Sequence, residues 1–163
     1  MQTITSPESL NDRSRVWIYH SDRPLSDEET ASLRETLKVF ARQWVSHNRQ
    51  LKAFAEVYYN RFVVLMVDET EAGASGCSID ASVKFLKSVQ SELGIDLFNR
   101  MIFSYLNSDN EVVSVDRQEF ASKYRDGEIN DGTLVFDTLV DQKSDFDRHL
   151  LKPLHESWHA RIV

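Results

Sequence analysis

The sequence predicts an α+β fold: a ferredoxin-like βαββαβ core with a C-terminal extension of one strand and one helix. Short apolar runs rich in β-branched and aromatic residues alternate with segments of helical periodicity up to residue 106. The two middle runs are separated by only two residues, which favours an antiparallel pair. We therefore expect a largely antiparallel sheet covered by helices, within one domain spanning residues 14–163.

The first strand and the first helix have clear local signals. Arg15–His20 is rich in β-branched and aromatic residues, which is typical of a strand. Ser26 lies three residues before Glu29, which is the spacing of a capping box at a helix N-terminus. Apolar side chains then follow at helical spacing, which predicts a helix over residues 27–46. These side chains are Leu33, Leu37, Phe40 and Trp44.

A hairpin is predicted next. Residues 51–59 and residues 62–67 form two apolar runs that are joined only by Asn60 and Arg61. So short a connection indicates an antiparallel pair, although Asn-Arg is a weaker turn signal than Asn-Gly. The second run is entirely apolar, which is typical of a buried strand.

The middle of the chain continues with a helix and two strands. After a loop of small residues, apolar side chains at helical spacing predict a helix over residues 79–93, and Gly94 suits a left-handed C-cap. Residues 101–106 and 111–115 have strand character and are separated by a polar turn. The strand at 101–106 completes the predicted βαββαβ core.

The C-terminal extension is predicted from weaker signals. Asp116 and Glu119 have the spacing of a helix start, and residues 133–140 have strand character. A helical pattern begins at Ser144, and Pro153 is expected to interrupt or kink that helix.

Composition narrows the classes of function. The net charge of −7 opposes non-specific attraction to nucleic acids and anionic membranes, and no apolar run approaches the roughly 20 residues that cross a bilayer. Residues 1–13 are polar, resemble no signal peptide and are expected to form a flexible tail. With one cysteine, the chain fits a reducing compartment. We expect a cytoplasmic protein with no nucleic-acid partner, no membrane insertion and no cofactor.

Several phrases of the sequence resemble a family of short uncharacterised bacterial proteins whose members often carry the label "ABC transporter ATPase". The phrases are Val16-Trp17-Ile18-Tyr19 and residues 21–25, 59–62, 67–69, 73–80 and 157–161. The resemblance covers nearly the whole chain, and it implies no established activity and no catalytic residues.

The ATPase label itself is not supported by the sequence. A nucleotide-binding loop of that class ends in Gly-Lys-Ser/Thr, whose lysine contacts the terminal phosphates. Residues 73–78 read Gly-Ala-Ser-Gly-Cys-Ser, and the next lysine is Lys84. The Leu-Ser-Gly-Gly signature of transporter ATPases is absent as well. We therefore do not expect ATP hydrolysis by that mechanism.

The loop of residues 73–80 is the first candidate site. Two glycines permit close approach of a ligand to the backbone, and free amides at the start of a helix attract anions. The candidate ligand-binding residues are Gly73, Ser75, Gly76, Cys77, Ser78 and Asp80. The alternative interpretation is a tight strand-to-helix turn, capped by Ser78 or Asp80, with Cys77 packed as a small hydrophobic residue.

Two chemical sites could occupy the same region. Cys77 at a helix N-terminus is a candidate thiol nucleophile, although no histidine is placed beside it by the sequence. Asp68 and Glu69 end a predicted strand and Asp80 begins a predicted helix, so the three carboxylates are candidate magnesium ligands. Solvated loop charges explain the carboxylates equally well.

The third candidate is His155-Glu156-Ser157-Trp158-His159, which matches the His-Glu-x-x-His pattern of zinc metalloproteases. On a helix, the two histidines would share a face and could bind zinc. Pro153 disturbs such a helix, and few residues follow to supply a third ligand. We therefore expect Trp158 to anchor the C-terminal segment, with both histidines on or near the surface.

Taken together, the sequence predicts a small ligand-binding or protein-interaction module whose site lies near residues 73–80. The expected partner is a small anionic ligand or a protein, and a homodimer is possible if one face of the sheet is left uncovered. The alternative is an enzyme that uses Cys77 as a nucleophile or a metal at Asp68 and Asp80.

Overall fold

The computed structural model describes residues 7–163. In this part of the chain there are nine strands and four α-helices, together with short 3-10 helices at Pro7–Ser9, Leu154–Glu156 and Trp158–Arg161. The strands are β1 (Arg15–His20), β2 (Val45–Ser46), β3 (Arg49–Gln50), β4 (Lys52–Tyr58), β5 (Phe62–Asp68), β6 (Ile102–Leu106), β7 (Val112–Asp116), β8 (Leu134–Phe136) and β9 (Leu151–Pro153). The helices are α1 (Asp27–Gln43), α2 (Gly76–Leu93), α3 (Arg117–Arg125) and α4 (Lys143–His149).

The longer strands form two antiparallel sheets. The first sheet has the order β1-β5-β4 and the second has the order β7-β6-β8-β9, while β2 and β3 form a small separate hairpin. The α+β class is confirmed, as is the β4–β5 hairpin. The ferredoxin-like topology is not confirmed, because β6 pairs with β7 and β8 instead of joining the first sheet beside β1.

The elements are stacked in four layers. Helices α1 and α2 cover one face of the first sheet. The second sheet and α4 cover its other face, and α3 with the C-terminal 3-10 helices covers the outer face of the second sheet. Both faces of the first sheet are therefore covered within the described residues.

Strand β5 is buried on both faces. Phe62, Val64 and Met66 pack toward the second sheet, whereas the alternating residues Val63 and Leu65 pack toward the helices. Each of these five side chains is 0% exposed. Since successive side chains of a strand point to opposite faces, two-sided burial requires the continuous apolar run seen in the sequence.

The helix ends follow from local hydrogen bonds. The predicted capping box is confirmed, since Ser26 Oγ accepts from Glu29 N (3.1 Å) and Glu29 Oε1 accepts from Ser26 N (2.9 Å). Helix α1 ends at Gln43 rather than at residue 46, because the chain becomes extended at Trp44. Gly94 has φ 65° and caps α2 in the predicted left-handed conformation.

The C-terminal third differs from the prediction. Strand β8 is shorter than residues 133–140, because a turn closed by the Val140 N–H and Asp137 O (3.5 Å) follows Phe136. The predicted long helix is only α4, and Pro153 ends β9 instead of kinking a helix. Proline is tolerated there because β9 is an edge strand.

Part of the predicted flexible tail is packed against the domain. Residues 1–6 lie outside the described residues. Pro7–Ser9 forms a 3-10 helix, and Leu10 is 4% exposed and packs between the two sheets. The Asn11 N–H donates to Asp68 Oδ2 (3.0 Å) at the end of β5. Over residues 7–13 the chain is therefore ordered structure and not a loose tail.

Two truncations in β5 test the burial of both faces. We expect Leu65→Ala and Met66→Ala each to lower the free energy of unfolding by about 2–5 kcal/mol, because each leaves a cavity in a different core. Chemical denaturation measures the change. Val39→Ala, at a side chain that is 48% exposed, is the control and should stay within about 0.5 kcal/mol of wild type. A change of less than about 1 kcal/mol in the free energy of unfolding of Met66→Ala would contradict the packing of the second sheet on β5.

Candidate functional site

The loop of residues 73–80 is exposed, as a ligand site requires, but the chain occupies many of its hydrogen-bonding groups. Ser75, rather than Ser78 or Asp80, is the N-cap of α2. Ser78 Oγ accepts from Ser75 N (2.7 Å) and Ser75 Oγ accepts from Ser78 N (3.2 Å). The Ala74 N–H donates to Glu69 Oε2 (2.9 Å). A carboxylate of the protein itself therefore lies where an anionic ligand would approach.

The two glycines of this loop have different surroundings. A Cβ added at Gly76 would meet no atom within 4 Å, so the backbone there faces open space. A Cβ at Gly73 would lie 3.2 Å from Glu69 Oε2, which again places the Glu69 carboxylate against the loop. Neither glycine is therefore surrounded closely enough to form the floor of an enclosed pocket.

Cys77 is exposed, so the interpretation of its side chain as a packed hydrophobic residue is wrong. Over residues 7–163, no side chain forms a hydrogen bond with its sulfur atom. The thiol is thus accessible to reagents but forms no hydrogen bond with a base that would activate it as a nucleophile.

The three candidate carboxylates have separate roles. Asp68 is 2% exposed and accepts from Thr70 Oγ1 (2.7 Å) and from Asn11 N (3.0 Å). Burial raises the pKa of Asp68, but these hydrogen bonds outweigh it and hold the pKa at about 2. Glu69 turns to the loop, and Asp80 is exposed on α2. Within the described residues, no group of three His, Cys, Asp or Glu side chains is placed to hold a metal ion.

The two C-terminal histidines do not share a helix face. His155 and His159 belong to different 3-10 helices. His155 is exposed and its Nδ1 lies 2.8 Å from Asp131 O, whereas His159 is 1% exposed and stacks on Trp158. The expectation of surface histidines is wrong for His159, and this geometry does not support a zinc site. Trp158 packs on Phe103 with ring centroids 5.6 Å apart, as expected of an anchor.

The site that the structure does form is a cavity of about 290 Å³ beside the end of β1. Most of its wall is apolar, and the apolar lining side chains include Ile18, Phe98, Met101, Leu139, Trp158 and Ile162. Tyr19, His20, Arg100 and Arg117 add polar groups. An apolar hollow with a few convergent polar groups is the usual form of a small-ligand site. None of the residues in the loop 73–80 lines it.

The wall beside β1 is formed by the segment that follows α2. Asp22 N donates to Asp96 O (3.0 Å) and Asp96 N donates to Asp22 Oδ1 (2.9 Å), which fixes this segment against the turn after β1. The rings of Tyr19 and Phe98 then meet edge to face, with centroids 5.3 Å apart. The wall is therefore held by both hydrogen bonds and aromatic packing.

A buried carboxylate positions Trp158, another lining residue of the cavity. Asp137 is 7% exposed and accepts from Trp158 Nε1 (2.8 Å) and from Lys152 Nζ (2.7 Å). Burial by itself raises the pKa of Asp137. The hydrogen bonds from Lys152 and Trp158 have the larger opposite effect, so the pKa lies below its ordinary value. The charged carboxylate thereby fixes the orientation of the Trp158 ring at the cavity.

His20 links the cavity to a polar network between the two sheets. Its Nδ1 lies 2.7 Å from Ser21 O, so Nδ1 carries the proton and Nε2 accepts from Ser104 Oγ. Ser104 Oγ also contacts Ser114 Oγ (2.6 Å), which accepts from an Arg61 Nη (2.8 Å). Burial lowers the pKa of His20 to about 4, so the ring is neutral at pH 7.

Two arginines give the cavity positive charge. Arg100 and Arg117 line it, and the guanidinium group of neither forms an ion pair or hydrogen bond with a described residue. Arg100 is close enough to Tyr19 to lower the pKa of that phenol, although burial raises the Tyr19 pKa overall. The unpaired guanidinium groups can hold a carboxylate or another anion beside the apolar wall.

Sequence reasoning missed this site. Arg100 stands between predicted elements, Met101 begins the predicted strand 101–106 and Leu139 lies in the predicted strand 133–140, so none of them is a candidate site residue by its sequence context. Met101 is 49% exposed and Leu139 is 58% exposed, which neither helical nor strand periodicity indicates. The only signal in the sequence is a run of apolar residues just before β6 that includes one arginine, Arg100.

The buried histidines predict a pH dependence of stability. His20 and His159 have pKa values of about 4 in the fold, mainly because of burial, against about 6.5 when unfolded. The unfolded chain therefore binds more protons between these values, so stability falls as the pH drops from 6.5 to 4, by up to about 3 kcal/mol per histidine. Chemical denaturation across this range should show the loss.

His20→Gln should flatten that pH profile, because it removes one of the two groups. His155→Gln is the matched control, since the His155 ring is exposed, and should keep the wild-type slope. An identical slope in wild type and in His20→Gln would contradict the buried neutral state of His20.

Comparisons with known proteins add no family to this description. No protein-family model matches the chain, and neither the curated proteins nor the solved structures include a significant match. Among the described residues, no helix is both long enough and apolar enough to cross a membrane. What the site can do is therefore inferred from its geometry.

Proposed function

We propose that the protein binds a small ligand with an apolar body and one anionic group in the cavity beside β1. The observation that carries this is the pairing of an apolar hollow of about 290 Å³ with the unpaired guanidinium groups of Arg100 and Arg117. The volume lies near the lower limit of about 300–1,000 Å³ for ligand sites, which favours a small molecule.

Each part of such a ligand has a counterpart in the cavity. Burial of apolar surface against Phe98, Met101 and Trp158 supplies a non-directional attraction of about 25 cal/mol for each Å² removed from water. The two arginines supply direction, because a guanidinium group donates two parallel hydrogen bonds to a carboxylate. Since the chain has a net charge of −7, attraction of an anion depends on this local concentration of positive charge.

The cavity replaces the loop of residues 73–80 as the proposed ligand site. The loop is exposed, but its Ala74 amide is bonded to Glu69 and its capping groups are bonded to each other. The cavity offers what the loop lacks, namely an apolar enclosure and unpaired cations. The ligand-binding function expected from the sequence is therefore proposed for the cavity and not for the loop.

A pair of ligands that differ only in charge tests this function. We expect 4-phenylbutyrate to bind more tightly than 4-phenylbutanol, because only the acid pairs with the arginines. Shifts of the Trp158 indole N–H signal in nitrogen-edited NMR spectra measure binding at the cavity. Arg100→Gln and Arg117→Gln should each weaken binding of the acid several-fold and leave binding of the alcohol unchanged.

The matched control is Arg125→Gln, which removes the same charge from an exposed residue of α3 that does not line the cavity. It should keep the wild-type affinity for both ligands. Equal binding of acid and alcohol to wild type, or the absence of any Trp158 shift, would remove the proposed function.

An enzyme acting through Cys77 is the second candidate, and the exposure of the thiol favours it. Because no described residue forms a hydrogen bond with the sulfur atom, we expect native Cys77 to react with iodoacetamide less than ten-fold faster than free cysteine at the same pH. Mass spectrometry of timed samples measures the rate, with Cys77→Ser as the blank. A rate at least ten-fold above free cysteine would favour the enzyme instead.

A further inference from the structure

The outer edge of β1 is covered over only part of its length. The Val16 N–H donates to Asp141 O and the Lys143 N–H donates to Ser14 O, both at 2.9 Å. In an antiparallel ladder, alternate residues direct both backbone groups to the same side. The backbone N–H and C=O groups of the even-numbered residues of β1 therefore point away from β5. Those of the odd-numbered residues, such as Trp17 and Tyr19, form hydrogen bonds with β5.

Ile18 is the next residue of the outward-pointing set. Its covering partner would continue from Gln142 through Asp141 toward Leu139, but the chain turns there, with Val140 N donating to Asp137 O (3.5 Å). Over residues 7–163, neither the N–H nor the C=O of Ile18 has a hydrogen-bond partner on this side. A strand edge with at least one unpaired donor and one unpaired acceptor, both at Ile18, thus remains.

This free edge lies in the ligand cavity. Ile18 lines the cavity together with Leu139, which stands where the covering segment departs. Backbone groups enclosed by apolar side chains lose free energy unless they are paired, so the edge favours an occupant with its own N–H and C=O groups. A simple amphipathic acid would satisfy the arginines and leave Ile18 unpaired.

We propose, building on the ligand-binding function above, that the natural ligand is a short extended peptide segment ending in a carboxylate, which adds to β1 antiparallel at Ile18. One peptide residue opposite Ile18 exchanges both hydrogen bonds with it, as in strand addition to other sheet edges. The carboxylate binds Arg100 and Arg117. The apolar side chains of the peptide cover Met101 and Leu139, which are 49% and 58% exposed.

Charge and size both suit this occupant. The carboxylate complements the two guanidinium groups, which have no acidic partner among the described residues. A cavity of about 290 Å³ holds only a few residues, so the terminus of a peptide fits better than the middle of a long chain. Strand addition also explains why the 137–140 turn leaves the gap beside Ile18 and why an apolar rim surrounds it.

Amide hydrogen exchange of the free protein is the first test. Because their N–H groups are bonded to β5, the amides of Trp17 and Tyr19 should exchange slowly, and the amide of Ile18 should exchange at least ten-fold faster. Exchange followed by NMR at two protein concentrations gives these rates. Protection of Ile18 that increases with protein concentration would show a second copy on the edge and overturn the peptide assignment.

Binding of acetylated apolar tripeptides with a free C-terminal carboxylate is the second test. The tightest of them should slow exchange at Ile18 by at least ten-fold. Its C-terminal amide should bind several-fold more weakly, and N-methylation of the residue opposite Ile18 should abolish the protection. 4-Phenylbutyrate, which has no backbone N–H, should shift Trp158 without protecting Ile18.

The outcomes separate the two proposals. If phenylbutyrate binds and no tripeptide protects Ile18, the peptide assignment fails while ligand binding at the cavity stands. If neither probe binds, both fail. Arg125→Gln again serves as the control, and its affinity for the tightest tripeptide should equal that of wild type.

Discussion

The structure depends on the burial of β5 on both faces. Its side chains are fully enclosed, so an apolar layer is required on each side, and the helices α1 and α2 can cover only one of them. The second sheet covers the other. Without this second layer, Phe62, Val64 and Met66 would be exposed to water. The need to cover them explains why β6 joins β7 and β8 in a separate sheet.

The proposed site arises where these layers meet at an edge. Because β5 lies at the centre of its sheet, β1 is left as an edge strand, and the segments around it come from the loop after α2, the turn after β8 and the C-terminal 3-10 helix. Two polar groups keep this junction in one arrangement: Asp137 holds Trp158, and His20 bonds to Ser104 across the two sheets. Satisfied buried polar contacts of this kind specify one geometry more sharply than apolar packing alone.

The loop before α2 shows why a helix N-terminus is a weak guide to function. Some of the amides that could attract a ligand are satisfied by neighbouring side chains, and here Glu69, Ser75 and Ser78 accept from the amides of Ala74, Ser78 and Ser75. The cavity differs because its arginines and the free edge at Ile18 have no such partners among the described residues. Unsatisfied groups beside an apolar enclosure are a stronger sign of a ligand than exposed glycines.

The sequence by itself determined the elements whose signals are local: the capping box at Ser26, the left-handed cap at Gly94 and the burial of the apolar strand β5. These depend on residues within a few positions of one another, so their spacing is enough to predict them. Only the tertiary structure decided the second sheet, the buried histidines and the cavity. The contact of His20 with Ser104 spans 84 positions, and local periodicity carries no information about which distant surfaces will meet.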